Sequence, residues 1–455
     1  MSGVEPDCSG KVGVGRWWIC GLLLLALMLN YMDRQTLALT IVPISRELGL
    51  SNTQYGTLEK GFAYAFAVGG LLCGWLADRV SVRWLFPLVL ASWSCAGLAT
   101  GYADVIGDRL APWIQSVFPG FIDPSSPASR AYLGFLICRT ALGFFESGQW
   151  PCALVATQRL LADRDRPFGN GLLQSGASVG AILTPLVVQL LVNDQPGSWR
   201  SPFVVIGAVG VLWVGPWMWL LRGVRLAPTL RRTSLMSGTS VANPASALLL
   251  VRRIVALCIV VVAINATWHF FRAWLPKMLE EFHGYSAGTV RYFCSAYYLS
   301  ADLGCISAGL AVKLLASRRV PVHASRLAIF LACALVTSLS TVAAGLQRGP
   351  LLLLLLTLVG FGSLGLFPNY YSLTQDLSVR HQGKLTGLFG FVTWVVTAEM
   401  QQRVGIHVDR THSYSQGIFW AGLAPIAAFF ALCLLWGRSH DAAVQPRMNS
   451  DSAGP

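Results

Sequence analysis

The chain has 455 residues, 54% of them hydrophobic and only 12% charged, with a mean hydropathy of +0.56. So few charges exclude an ordinary soluble domain, and apolar segments long enough to cross a bilayer recur along the whole length, so the chain reads as an all-α multi-pass membrane protein. The formal net charge of +13 fits Lys and Arg gathered in cytoplasmic loops rather than a surface for nucleic acid.

At about 20 apolar residues per crossing, twelve helices are predicted. The N-terminal tail, 1–16, is polar. The first helix, 17–41, contains LNYMDRQTLAL (29–39), which places Asp33 and Arg34 inside the membrane. No A-x-A-like cleavage site follows residue 30, so this is a retained helix rather than a signal peptide. The second helix, 55–77, leads into GWLADRVSVRW (74–84), and the third covers 84–104. The fourth, 129–151, carries RTALGFFESGQWP. There Arg139 and Glu146 lie two turns apart on one face, roughly 10 Å along the axis, and Pro151 predicts a kink or an end. Helices at 169–192 and 201–221 complete a first bundle, 17–221. A basic central loop, 222–253, joins it to a second, 254–437, with helices at 254–275, 290–315, 325–346, 350–375, 385–407 and 415–437; a polar tail, 438–455, follows.

Basic residues concentrate in alternate loops, among them Arg79, Arg83, Lys313, Arg318 and Arg319, and this asymmetry predicts cytoplasmic termini. GLAVKLLASRR (309–319) repeats the layout of 74–84 at the matching place of the second half, so the two bundles read as parallel repeats. The 11 cysteines are scattered; Cys20, Cys73, Cys138 and Cys258 lie in apolar segments, and all read as buried thiols with no disulfide framework or metal site. The glycines of GFGSLGLF (360–367) are helix-packing glycines, because no strand precedes them to make a nucleotide loop. With no nucleophile, metal cluster or phosphate loop readable, neither catalysis nor a cofactor is expected.

An ionisable residue inside a span is a functional candidate. Asp33, Arg34, Arg139 and Glu146 leave the first half near neutral when empty. An anionic substrate needs a base freed from its acid. Protonating Asp33 or Glu146 would free Arg34 or Arg139 to hold a carboxylate with its planar fork. The bland alternative is a set of structural ion pairs. His269, in the seventh span, is either a pH-responsive contact or a packing residue. Arg272 is either a second carboxylate anchor, favouring a dicarboxylic sugar acid, or a side chain reaching the outer interface, the reading slightly preferred. Glu399 and Arg403 are read as a structural pair one turn apart. Tyr370 and Trp394 are candidates to stack on a sugar ring.

GWLADRVSVRW resembles the signature loop of the major facilitator superfamily, with Gly74, Asp78, Arg79 and Arg83 in place and Ser81 where Gly is usual; the resemblance implies a gating role. LNYMDRQTLAL and RTALGFFESGQWP resemble the first and fourth helices of that superfamily's anion:cation symporter family, in the branch of bacterial hexuronate and galactonate transporters. LLQSGASVGAILTP (172–185), FRAWLPKML (271–279) and FPNYYSLTQD (367–376) resemble its fifth, seventh and tenth helices. The resemblance implies that Arg34 binds a substrate carboxylate, that Asp33 and Glu146 carry protons, and that Arg139 pairs with Glu146 or substrate. It also implies that Asn369 bonds substrate hydroxyls; Asp376 matches as well. The family's second-helix Tyr is Phe66 here, with Tyr64 nearby, and its fifth-helix polar residue is Ala177, for which Gln174 is the substitute. Tyr31, Tyr64, Gln174, His269, Arg272, Tyr370 and Trp394 complete the expected substrate contacts.

The expected protein is therefore a monomeric inner-membrane symporter importing an organic anion, a hexuronate or aldonate, with protons, its energy source a proton gradient. The alternatives are a carrier of another carboxylate (an aromatic acid, sialic acid or dicarboxylate), an anion antiporter or exporter, or a membrane sensor on the same fold. Na⁺ in place of H⁺ is not decided by these residues.

Overall fold

A computed structural model describes residues 15–161, 166–222, 244–377 and 382–436. Most of both tails, the central loop from 223 to 243, and the side chains of Asp78 and Asp376 lie outside the described residues. Those described are helical, with no strand among them. The first half contains α1 (Gly15–Leu48), α2 (Asn52–Arg79), α3 (Val82–Thr100), α4 (Ala103–Val117), α5 (Pro127–Glu146), α6 (Gln149–Leu160), α7 (Arg166–Leu191) and α8 (Arg200–Leu220). The second contains α9 (Pro244–Lys277), ending in a π-turn (Met278–Phe282), then α10 (Ala287–Ser317), α11 (Val322–Ala343), α12 (Pro350–Gly365), α13 (Phe367–Leu377), α14 (Gln382–Thr411) and α15 (Ser415–Leu435).

Counting α5 with α6 and α12 with α13 as one broken helix each, and leaving out α4, whose 15 residues are too short to cross, this makes twelve crossings in two six-helix bundles. Nine of them, among the described residues, qualify as spans on length and apolarity alone; the other three are α1, α5–α6 and α14.

Local chemistry sets the ends. Ser51 accepts from the Gln54 N–H while the Gln54 side chain returns the bond to the Ser51 N–H, a capping box that starts α2. The Ser126 side chain and Pro127 start α5. Two differences from the sequence reading, and one expected break, stand out. The α4 helix was not expected; its charges and short length hid it, although Arg130 ties it to α5 through Asp108 at 2.6 Å. The predicted fourth helix is broken at Ser147–Gly148, because Pro151 has no N–H to offer the carbonyl one turn back. A Cβ on Gly148 would sit 2.8 Å from Val89 Cγ1 and 3.1 Å from Cys73 Sγ, so glycine is what lets this break lie against α2 and α3. Finally, Cys95 and Cys433 are exposed on outer helix faces rather than buried.

The halves meet where α2 crosses α14, α1 meets α9 and α7 meets α10. The bonds between them cluster at the end where α1 finishes and α2 begins. A Cβ on Gly56 would lie 2.5 Å from the Gln401 carbonyl oxygen, a closeness only glycine permits. Tyr55 donates to the Ala273 carbonyl at 2.8 Å, and Lys277 donates to Ser45 at 3.3 Å. Arg46 pairs with Glu280 at 3.5 Å. Beyond the membrane-crossing part of α14, the Asp409 carboxylate accepts from the backbone N–H groups of Asn52 and Thr53 at 3.0 and 2.7 Å, capping α2 across the seam.

Partial burial works against the Asp409 charge, but the bonds from Thr53 and Asn52 more than offset it and hold the carboxyl below the ordinary aspartate range. Because its value is depressed in the sealed state, its contribution is complete above the ordinary range and is lost as pH falls through the depressed value. Asp409→Asn removes a charged cap worth about 1 kcal/mol. At neutral pH it should raise the alkylation rate of a cysteine placed at Gln402 roughly five-fold; an unchanged rate would mean that Asp409 does not hold this end shut.

Candidate functional site

Helices α1, α2, α5 and α9 bring their charged residues into one buried layer. Arg34 donates to Glu146 Oε2 from Nε at 3.1 Å and from Nη2 at 3.0 Å. Arg139 does not pair with Glu146. It donates to Glu59 at 2.7 Å and to the Arg34 carbonyl at 3.2 Å. The other oxygen of Glu59 takes a bond from Arg272 of the second half. All five side chains are buried. Each guanidinium has a carboxylate, which is the condition for holding charge at this depth.

Asp33 shares the burial but not the pairing: neither oxygen has a hydrogen-bond partner, and the same is true of Glu146 Oε1. Asp33 points to α3, so closely that a Cβ on Gly97 would lie 2.8 Å from its Oδ1.

Beside this layer is a cavity of ≈460 Å³ reaching toward the end where α7 begins and α10 finishes. Arg34 and Arg272 both form its wall. Aromatic rings box the Arg34 guanidinium: Phe66 at 5.0 Å, Tyr31 at 5.3 Å, Phe62 at 5.4 Å and Trp394 at 5.6 Å. Rings at this range favour a cation without neutralising it. The Trp394 ring also meets His269 at 4.8 Å, and His269 Nδ1 accepts from Arg272 Nε at 3.3 Å. A continuous wall thus runs from Arg34 through Trp394 and His269 to Arg272. Opposite stands Asp302 of α10, which accepts from Ser178 at 2.8 Å and has its Oδ2 unpartnered.

Of the residues expected to meet substrate, Tyr31, Arg34, Gln174, His269, Arg272 and Trp394 line this cavity. Arg272 does not reach an interface; it is buried at mid-depth, which corrects the preferred reading. Tyr64 stands elsewhere. Two residues along a helix turn about 200°, so Phe66 takes the cavity position, while Tyr64 is exposed and donates to Glu399 at 2.6 Å. Glu399 also binds Lys60 at 2.8 Å, so its ties run to α2. Arg139 sits behind the wall. Asn369 is buried with its Nδ2 unpaired, and Tyr370 packs on Phe389 and Tyr371; Tyr371 lines the cavity in its place. In the expected gating loop, Gly74 ends no contact a side chain would disturb. Arg79 lies over Trp75 at 3.9 Å and Arg83 over Trp84 at 5.3 Å.

The sequence reading missed Glu59 and Asp302. Each is a lone acid within a predicted span, so the rule that singled out Asp33 would have found both.

The chain matches the sequence profile of the Major Facilitator Superfamily over residues 23–398. It is 23% identical to a D-galactonate transporter of Escherichia coli O6:H1, covering 85% of this chain and 87% of the relative. It is also 23% identical to a hexuronate transporter of Escherichia coli K12, covering 93% and 92%. The inward-open structure of the xylose transporter XylE from E. coli superposes with a TM-score of 0.68 at 12% identity, covering 94% of this chain and 98% of that one.

Proposed function

Because this chain belongs to the Major Facilitator Superfamily, we propose that it is a transporter of sugar acids, hexuronates or aldonates, that moves them with protons by alternating access. One observation carries this reading: a permanently charged guanidinium, Arg34, forms the wall of a mid-membrane cavity inside an aromatic box. A cation so placed suits a carboxylate bidentately. The unpartnered Asp302 Oδ2 and Gln174 suit sugar hydroxyls, and the Phe66 and Trp394 rings suit the apolar face of a sugar chain. The activities of the two relatives, D-galactonate and hexuronate transport, agree with this chemistry.

Glu146 holds Arg34 while the site is empty. A proton on Glu146 releases Arg34 to the substrate, and Asp33, buried beside it with both oxygens open, is the second proton carrier. The seam holds one end shut, and the cavity reaches toward the end that carries Arg79, Arg83, Lys313 and Arg318. By the excess of basic residues that end is cytoplasmic, so the state is inward-facing, with both termini inside and the chain in the inner membrane. The 74–83 loop works as a gate at that end.

The test is uptake of labelled glucuronate and galactonate into proteoliposomes, with labelled xylose as the neutral control. Accumulation of either acid, raised by an inward proton gradient, is the expected result. Folded protein that takes up neither acid would end the sugar-acid assignment.

A further inference from the structure

Arg272 is 3% exposed, yet it walls the same cavity as Arg34. Its Nε and Nη2 are bonded to His269 and Glu59, but its Nη1 has no partner. Buried polar groups are nearly always satisfied, and a guanidinium has no way to shed its proton. This open donor therefore suits an acceptor that the protein itself does not supply.

The charges say what kind of acceptor suits it. One carboxylate, Glu59, serves two guanidiniums, Arg139 of its own half and Arg272 of the other. Arg34 has Glu146 to itself. Three buried arginines thus share two ion-paired carboxylates. Both cavity-facing cations also keep their carboxylate partners off the cavity side, since neither Glu59 nor Glu146 lines it.

We propose that Arg272 is a second anion anchor and Glu59 its internal counter-ion, so that the carrier selects acids bearing two anionic groups. One carboxylate lies on Arg34 and the other on Nη1 of Arg272, with His269 and Trp394 forming the wall between them and Asp302 Oδ2 accepting a hydroxyl of the chain. The proposal rests on the organic-acid reading of the cavity and narrows it to the aldarate class. It also gives the second anion a task during transport. The Glu59–Arg272 pair crosses between the halves, so it parts when the sealed end opens. A diacid keeps the Arg272 charge balanced through that step, and a monoacid leaves it bare.

Galactarate and galactonate share one carbon chain and differ in a single terminal carboxylate, so their affinities for the purified full chain, compared by calorimetry, read the second anchor alone. Wild type should bind galactarate about 10- to 100-fold more tightly. Arg272→Gln should still bind galactonate but with the preference gone. Arg272→Gln strands no buried acid, because Glu59 keeps its bond from Arg139; Arg272→Lys, which retains the charge without the fork, should recover part of the preference. Equal affinities in wild type, or a preference that survives Arg272→Gln, would overturn the second anchor while leaving the acid site standing. Binding of neither acid by folded wild type would overturn both.

Discussion

Replacing Arg34 with Ala should abolish uptake and weaken acid binding by at least about 100-fold. Truncating one member of a buried charge pair removes some 3 kcal/mol or more, and each 1.4 kcal/mol is a factor of ten. The loss has two parts. The substrate carboxylate loses its bidentate fork, and the aromatic box around residue 34 is left lined by Phe62, Phe66 and Trp394 with no charge inside it. Arg34→Lys keeps the charge but not the planar fork, so it should bind weakly and with poor discrimination. Arg34→Ala also strands Glu146, which is fully buried. The double variant Arg34→Gln/Glu146→Gln removes both charges together and should fold, yet still bind no acid. Strong binding in these variants would move the carboxylate anchor elsewhere on the cavity wall.

Glu146→Gln should separate binding from coupling. The amide keeps the shape and can still lie beside Arg34, but it has no negative charge to compete with a substrate carboxylate. Acid binding should persist or tighten. Exchange of labelled for unlabelled acid across proteoliposomes without a gradient should continue, while the extra accumulation driven by an inward proton gradient should disappear. A variant that still accumulates acid with the gradient would place the coupling proton on Asp33 alone, whose oxygens have no bonded partner to lose. Loss of exchange as well as accumulation would make Glu146 a structural pair for Arg34 and nothing more.

The order of helices was readable because apolar length is a strong signal, and the break at Gly148 was announced by Pro151. The α4 helix was not, since its length falls short of a crossing and Asp104, Asp108 and Arg109 interrupt its apolar stripe. The charged residues of the site were legible one by one, because charge inside a membrane is rare. Their partners were not. Arg139 and Glu146 share a helix face, but two turns is too far for a direct bond. Each instead finds an ion partner on a neighbouring helix, Glu59 for Arg139 and Arg34 for Glu146. Such choices depend on how α1, α2 and α5 pack, which spacing along one helix does not encode. The same holds for Tyr64 and Phe66, where only the rotation of α2 against α14 decides which ring meets the cavity.

Proton movement accompanying transport is the most direct test of the Arg34–Glu146 exchange. Proteoliposomes holding the wild-type chain, with a pH dye outside and no imposed gradient, would receive glucuronate, galactonate or galactarate. If a proton enters with the acid, the external medium turns alkaline as labelled acid goes in, and Glu146→Gln shows no such change. Uptake of labelled acid in wild type with a flat pH trace would contradict proton symport and leave this cavity as the site of an uncoupled or exchange carrier.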